Sequence, residues 1–276
     1  MNVGGLVVDA AARIGTENGR LEAEALLAHV LGKPRTWLYA WPEHELEAQQ
    51  LARFESMVES RVRGEPIAYL TGHREFWSLD LLVTRDVLIP RHETELLVEL
   101  ALARIPREIA HVADLGTGSG AIALAIARER AQARMLATDA SSAALAVARA
   151  NAERLMISNI EFAQGDWCDA LGEKEFDVIV SNPPYIASGD AHLDLGDLRS
   201  EPLSALVSGS DGLDAIRRLV GEAPARLRPG GWLLLEHGWD QAARVRALLE
   251  EGGFIAVASA SDDGGHERVT MGRLLR

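Results

Sequence analysis

The sequence predicts an α/β chain: a doubly wound, mostly parallel seven-stranded sheet, preceded by a small all-helical N-terminal domain and a β-hairpin linker. Three observations predict it. Residues 1–66 carry helical patterns only. From residue 109 onward, seven short apolar runs alternate with helical segments, the pattern of parallel strands joined by helical crossovers. The first of these strands also runs through a glycine-rich turn straight into a helix. The boundaries follow as 1–66, 67–90 and 91–276.

In order, Leu21–Leu31 combines strong helix formers with an apolar face, and Gly32 with Pro34 stops it. Leu51, Phe54, Val58 and Val62 recur at helical spacing before Gly64 and Pro66. The texture then changes. Arg74–Val83 alternates partly and is rich in β-formers, and Val87–Pro90 follows a short polar break, which reads as a hairpin joining two domains. Glu93–Ile105 is a helix. Beyond it the expected strands are Ile109–Leu115, Met135–Thr138, Ile160–Ala163, Phe176–Val180, Gly231–Glu236, Phe254–Ala258 and Arg268–Leu274. The helices between them are Ala121–Arg130, Ser141–Leu155, Leu213–Leu227 and Gln241–Glu251. Only a loop joins the last two strands, so one of them runs antiparallel.

Composition narrows the function. The 276 residues hold 28 Lys and Arg against 41 Asp and Glu, a net charge of −13 with a pI near 5.1. That balance disfavours direct, stable binding to nucleic acid through bulk positive potential. A single cysteine, Cys168, excludes an internal disulfide framework and a cysteine-ligated zinc site. The eight histidines show no metal-ligand spacing, so no metal is expected. The N-terminus lacks a basic, then apolar, leader, and no apolar run reaches the length of a membrane span. A cytoplasmic protein without membrane partners is expected.

Asp114-Leu-Gly-Thr-Gly-Ser-Gly-Ala121 lies between the first strand and its helix. Gly116, Gly118 and Gly120, with Thr117 and Ser119 between them, let the backbone turn tightly and approach a ligand. Asp139 ends the next strand, where a carboxylate can accept both hydroxyls of a ribose. The string also satisfies G-x-G-x-x-A, so a nicotinamide-dependent oxidoreductase stays open at this point. Gly116, Asp139, Asp166 and Asn182 each fall just past one of four successive strands, at the edge where parallel sheets bind ligands. Trp167, beside Asp166, can lay its ring on an adenine.

Ser181-Asn-Pro-Pro-Tyr-Ile186 is the most specific string in the chain. Pro183 and Pro184 remove amide donors, so the local carbonyls are pure acceptors, and the Asn182 oxygen adds another. Together they can accept two hydrogens from a planar –NH2 group, on which Tyr185 offers a stacking face. Such a nitrogen is a poor nucleophile, and acceptors that orient it suit attack on an activated carbon. Glu236-His237-Gly238 reads as a solvated strand end, because this chemistry asks for no base.

On these residues the chain resembles the class I S-adenosylmethionine-dependent methyltransferases, whose fold is Rossmann-like, and more closely the PrmC/HemK family. The likeness runs over essentially the whole chain. It includes Gly72–Pro90, Arg91–Glu95, Asp114–Gly120, Ala137–Asp139, Gly165–Trp167, Asn182–Tyr185 and Glu201–Gly212. His92-Glu93 stands where the family usually has Pro-Asp.

The resemblance implies S-adenosyl-L-methionine as cofactor. It implies methylation of the side-chain amide nitrogen (N5) of the glutamine in the Gly-Gly-Gln motif of class-1 peptide-chain release factors. Gly116, Thr117, Gly118, Ser119 and Gly120 would wrap the methionine part, Asp139 the ribose, and Trp167 the base region. Asn182 would lie between cofactor and substrate, and Asn182, Pro183, Pro184 and Tyr185 would hold the glutamine, with Asn182, Pro183 and Tyr185 carrying the reaction. The helical N-terminal domain would help dock the release factor. Alternative substrates for the same motif are a ribosomal-protein glutamine and the adenine amine of nucleic acid. The acidic charge counts against the second, and the Ile-Pro-Arg-x-x-Thr-Glu form of residues 89–95 against the first. A non-enzymatic binding module sits badly with Asn182 and Tyr185 both intact.

Overall fold

The computed structural model describes residues 1–275; Arg276, the last residue of the expected 91–276 domain, lies outside them. The chain divides into two units, Met1–His73 with Asp194–Ser200, and Arg74–Leu193 with Glu201 onward.

The first unit is helical: α1 Val3–Ile14, α2 Gly19–Leu31, α3 Arg35–Ala40, α4 Ala48–Val62 and α5 Ile67–Thr71. Asn2 caps α1 by accepting from the Gly5 amide at 3.0 Å, and Gly32 closes α2 in the left-handed conformation expected of a C-terminal glycine. Leu6, Ala10, Leu26, Leu27, Phe54 and Val58 form its core. Glu24 is buried on α2. Burial alone would raise its pKa, but hydrogen bonds from Tyr39, Arg20 and Arg35 outweigh that and hold the carboxyl below its usual range. Asp197 joins this unit through Arg61 Nη1 at 2.9 Å.

A hairpin follows, β1 His73–Phe76 and β2 Leu79–Leu82, all of it but His73 in the second unit. Its position differs from the sequence expectation. Residues 67–71 are helical, the turn is Trp77-Ser78 rather than the polar break at 84–86, and Val87–Pro90 is not a strand. Trp77 and Ser78 have φ of 51° and 56°, the paired positive values of a tight hairpin turn, held without glycine or asparagine. The Trp77 amide donates to Glu95 Oε1 at 2.8 Å and its indole to Glu129 at 3.1 Å, which compensates for the strained backbone.

The remaining strands are β3 His111–Leu115, β4 Arg134–Asp139, β5 Ile160–Gln164, β6 Phe176–Ser181, β7 Leu227–Glu236, β8 Phe254–Ser261 and β9 Glu267–Leu274. They form one seven-stranded sheet in the order β5-β4-β3-β6-β7-β9-β8, parallel except for β9, which inserts antiparallel between β7 and β8. The fold class is therefore the one the sequence predicts. The helices are α6 Glu95–Leu102, α7 Ala121–Glu129, α8 Ser142–Arg154, α9 Asp214–Glu222 and α10 Ala242–Glu251. Successive strand residues alternate between two cores. Val112, Val178, Val180 and Leu234 face the hairpin with α6 and α7, while Ala113, Leu115, Ile179 and Leu233 face α9 and α10. Two boundaries move by more than three residues: α9 ends at Glu222, not Leu227, and β7 starts at Leu227, not Gly231. A register irregularity between Phe176 and Val178 accommodates Pro229-Gly230-Gly231 inside the strand. No helix among the described residues is long and apolar enough to cross a membrane.

Candidate active site

The carboxyl ends of β3, β4, β5 and β6 open on a cavity of about 380 Å³, within the range of small-molecule sites. Gly116–Ser119, Asp139, Trp167, Asn182 and Pro184 line it. So do Thr94 and Pro202, to which the sequence reading gave no role.

The glycine turn is built on its neighbours. The amides of Gly116 and Thr117 both donate to the Thr138 carbonyl at 2.9 Å, pinning the turn to β4. Thr117 Oγ1 donates to Asp114 Oδ2 at 2.6 Å, and the Gly118 amide donates to Asp139 Oδ2 at 3.0 Å. Asp139 Oδ1 accepts from the Ser141 amide at 2.9 Å, which leaves one lone pair on each carboxylate oxygen for a ligand's hydroxyls. At Gly116 φ is 74°, and an added Cβ would stand 3.6 Å from the Trp167 ring, so the backbone there is faced directly by the indole. Gly120 does not line the cavity. Its φ is 85°, and a Cβ there would meet Leu124 at 3.0 Å and Ala148 at 3.2 Å, so its space is used to seat α7 against α8.

Asp114 is fully buried. Burial pushes its carboxyl up to about 7, against the Thr117 bond, and its Oδ1 has no partner among the described residues. Asn151 of α8 is also fully buried and joins three backbone groups. Its Oδ1 accepts from Leu82 N at 2.7 Å, and its Nδ2 donates to the Leu82 and Ser119 carbonyls at 2.9 Å. The glycine turn is thus tied to the hairpin by a side chain that helical periodicity alone marks as unremarkable.

On the other wall, Ser181 Oγ donates to the Leu115 carbonyl at 2.6 Å, fixing β6 to β3 where Asn182 begins. Asn182 Nδ2 donates to Thr94 Oγ1 at 3.3 Å. Pro183 and Tyr185 lie outside the cavity lining. The Tyr185 carbonyl accepts from Gln241 Nε2 at 2.9 Å, and burial, with the nearby Glu236 carboxyl, pushes the Tyr185 phenol well above its usual range. Gly212 packs against this carbonyl so closely that a Cβ would come within 2.3 Å of it. Glu201, buried, accepts from the Ile89 amide at 3.2 Å and pairs with Arg91 at the cavity edge.

One expectation is corrected. Glu236 and His237 are buried, not solvated, because β7 is a central strand flanked by β6 and β9 to its end. His237 Nδ1 faces the Gly238 carbonyl at 2.9 Å and Nε2 faces Thr270 Oγ1 at 2.7 Å; burial lowers its pKa, and it packs as a neutral ring. Asp166, aligned with the strand ends as expected, is ion-paired with Arg218. Cys168 is buried and its thiol is pushed up to about 12, mainly by that burial, so it is an unreactive apolar filler.

Comparison with known proteins matches this architecture. Residues 9–72 match the model of the PrmC N-terminal domain, and residues 92–198 that of the methyltransferase small domain. The release factor glutamine methyltransferase of Xylella fastidiosa (strain Temecula1) is 56% identical over 255 residues, covering 92% of this chain and 93% of the relative. That of Pseudomonas aeruginosa is 51% identical over 256 residues, covering 93% of each. Among solved structures, a methyltransferase from Pyrococcus furiosus superposes with a TM-score of 0.54 at 20% identity, over 82% of this chain and 98% of that one. The hMettl16 catalytic domain gives 0.58 at 16% identity, over 83% of each chain, and both likenesses show the fold alone. With identities above half across nine-tenths of the sequence, the chain belongs to the release factor glutamine methyltransferase family.

Proposed function

We propose that this enzyme transfers the methyl group of S-adenosyl-L-methionine to the side-chain amide nitrogen (N5) of the glutamine in the Gly-Gly-Gln motif of class-1 peptide-chain release factors. The observation that carries this is the convergence of the glycine turn, Asp139, Trp167 and Asn182 on one cavity in a chain of this family. The residues fit the cofactor. The turn presents bare backbone, Asp139 keeps free acceptor capacity, and the Trp167 indole supplies a flat apolar face. When bound, S-adenosylmethionine supplies an electrophilic sulfonium methyl. The chain's own residues then position the nitrogen. Asn182 accepts a hydrogen of the substrate amide, Pro183 and Pro184 leave only carbonyl acceptors beside it, and Tyr185 backs the planar group. The amide proton leaves to solvent. The turn residues Gly116–Ser119 are assigned to the cofactor's methionine part, and Gly120, expected to join them, supports the turn from behind by seating α7.

The helical unit, read as residues 1–66, docks the substrate protein; exposed Tyr39 and Trp41 give it an aromatic surface suited to that role. Residues 67–90 link it to the catalytic domain at 91–276. The substrate places the enzyme in the cytoplasm. The test is incubation with S-adenosylmethionine and recombinant release factor, followed by peptide mass mapping. One added methyl on the Gly-Gly-Gln glutamine is expected; its absence there, with a methyl on ribosomal protein or DNA, refutes the assignment.

A further inference from the structure

Glu236 ends β7 directly behind the cavity, is only 2% exposed, and has no part in the chemistry set out above. Ser181 pairs with Leu235 in the β6–β7 register, so Asn182 and Glu236 are neighbours where the two strands end; Thr94 and Asn182 both favour the charged form of the Glu236 carboxyl, and Asn182 Nδ2 donates to Thr94 Oγ1 at 3.3 Å. The three side chains meet behind the cavity. Thr94 and Asn182 face the cavity, while Glu236 does not line it and keeps one oxygen, Oε2, without a partner among the described residues.

This meeting matters because a carboxamide has two chemically opposite arms. An ionised carboxylate only accepts, so the Asn182 amide must turn its NH2 toward Glu236 and Thr94 and its Oδ1 the other way. Oδ1 is the arm that can hold a substrate –NH2 by its hydrogens. A protonated Glu236 has an O–H donor of its own and can bond Oδ1, which frees the amide to turn and set NH2 against NH2.

We propose that Glu236 is a positioning residue for methyl transfer: its carboxylate fixes the Asn182 amide with Oδ1 available to the substrate nitrogen. The proposal rests on the substrate class inferred above. The groups facing Glu236 are Glu93 and Thr94 from the turn before α6, Asn182 and Tyr185 from the segment after β6, and Arg268 from β9. Burial raises the carboxyl to about 7, Glu93 adds to the rise, and Thr94, Arg268 and Asn182 oppose it. The switch between the two amide orientations therefore falls near neutral pH.

The test uses the full chain and its Glu236→Gln variant with recombinant release factor. For the wild type, kcat should rise with pH through about 7 and then level. For Glu236→Gln, kcat should fall by up to about 100-fold, the scale for a misplaced positioning group. Calorimetry should give the same S-adenosylmethionine affinity within twofold, and the rise near 7 should be gone. In parallel, the side-chain 15N–1H resonances of Asn182, assigned with Asn182→Asp, should titrate near pH 7 in the wild type without any substrate. Unchanged turnover and pH profile in Glu236→Gln, equal loss of cofactor affinity and turnover, or Asn182 resonances indifferent to pH each overturn the proposal. If wild-type protein leaves release factor unmethylated, the substrate assignment fails, while the Asn182 titration still decides the positioning role. Should Glu236→Gln not fold, that wild-type titration decides it alone.

Discussion

Replacing Asn151 with alanine tests whether the cofactor turn depends on a buried tie to the hairpin. The side chain makes three hydrogen bonds of 2.7 to 2.9 Å to main-chain groups of Leu82 and Ser119. Leu82 is half-buried, so water can replace part of what its amide and carbonyl lose, and each costs about 1 kcal/mol, the net value of an ordinary hydrogen bond. Ser119 is 2% exposed, so its carbonyl is left dry at about 1–3 kcal/mol. The expected destabilisation is therefore about 3–5 kcal/mol, a large fraction of the 5–15 kcal/mol typical of a domain. Urea denaturation followed by far-UV circular dichroism measures it. Because Ser119 belongs to the turn, S-adenosylmethionine affinity by calorimetry should also fall about tenfold, equivalent to about 1.4 kcal/mol. A loss of stability below about 1 kcal/mol, with unchanged cofactor affinity, would show that the tie is incidental and refute the reasoning.

Asn182→Ala should abolish turnover while S-adenosylmethionine affinity, read by calorimetry, stays within a few-fold; equal loss of both would make Asn182 chiefly a cofactor ligand. Gly212→Ala places a Cβ 2.3 Å from the Tyr185 carbonyl at a φ of 76°, so it should lower both the melting temperature and kcat, with a stability loss of about 2–4 kcal/mol from strain and overpacking. Ser78→Gly relieves a positive φ of 56° in the hairpin turn and should stabilise the protein by about 0.5–1 kcal/mol in denaturant titrations; a loss would mean that the serine side chain matters more than the backbone. Burial raises Asp114 and Glu236 to about 7 from 3.8 and 4.5, so between about pH 4 and 7 the native state holds protons that the unfolded chain has released. Stability should fall as pH rises through that window, by about 4 kcal/mol for Asp114 and about 3 kcal/mol for Glu236 at 1.36 kcal/mol per pKa unit; Asp211, held near 2 by Arg217, titrates below it, and equal stability at pH 5 and pH 8 refutes the assignment.

Periodicity made most elements legible. Apolar runs of strand length alternating with helices give the parallel sheet, and the polar or glycine residue after each of the first four strands gives its functional edge. The misses share a physical cause. Trp77-Ser78 holds a turn that glycine or asparagine usually marks, because Glu95 and Glu129 compensate from elsewhere in the fold. Pro229-Gly230-Gly231 reads as a strand breaker, yet the shifted pairing opposite Phe176 and Val178 absorbs it. Thr94, Asn151, Glu201 and Glu236 act through partners remote in sequence, 88 residues away for Thr94 and Asn182 and 110 for Arg91 and Glu201. No local pattern encodes such a pairing. Glu236 was misplaced for a further reason: polarity at a strand end signals solvent only if the end is uncovered, and β9 covers it.

That placement gives the site its logic. Asp114 near the end of β3 and Glu236 at the end of β7 are the two buried carboxyls with an unpartnered oxygen, and neither has an arginine or lysine at ion-pair distance among the described residues. A carboxyl buried in this way costs stability that a neutral residue of the same size would not, so packing alone gives no reason to keep either one. Each instead braces one half of the reaction. Asp114 takes the Thr117 hydroxyl and thereby sets the turn assigned to the cofactor, while Glu236, next to Asn182 across the β6–β7 register, is the residue proposed to set the amide assigned to the substrate. The conflict with burial is local to the strand ends where ligands bind, the part of a parallel sheet where violations of packing rules are expected to be functional.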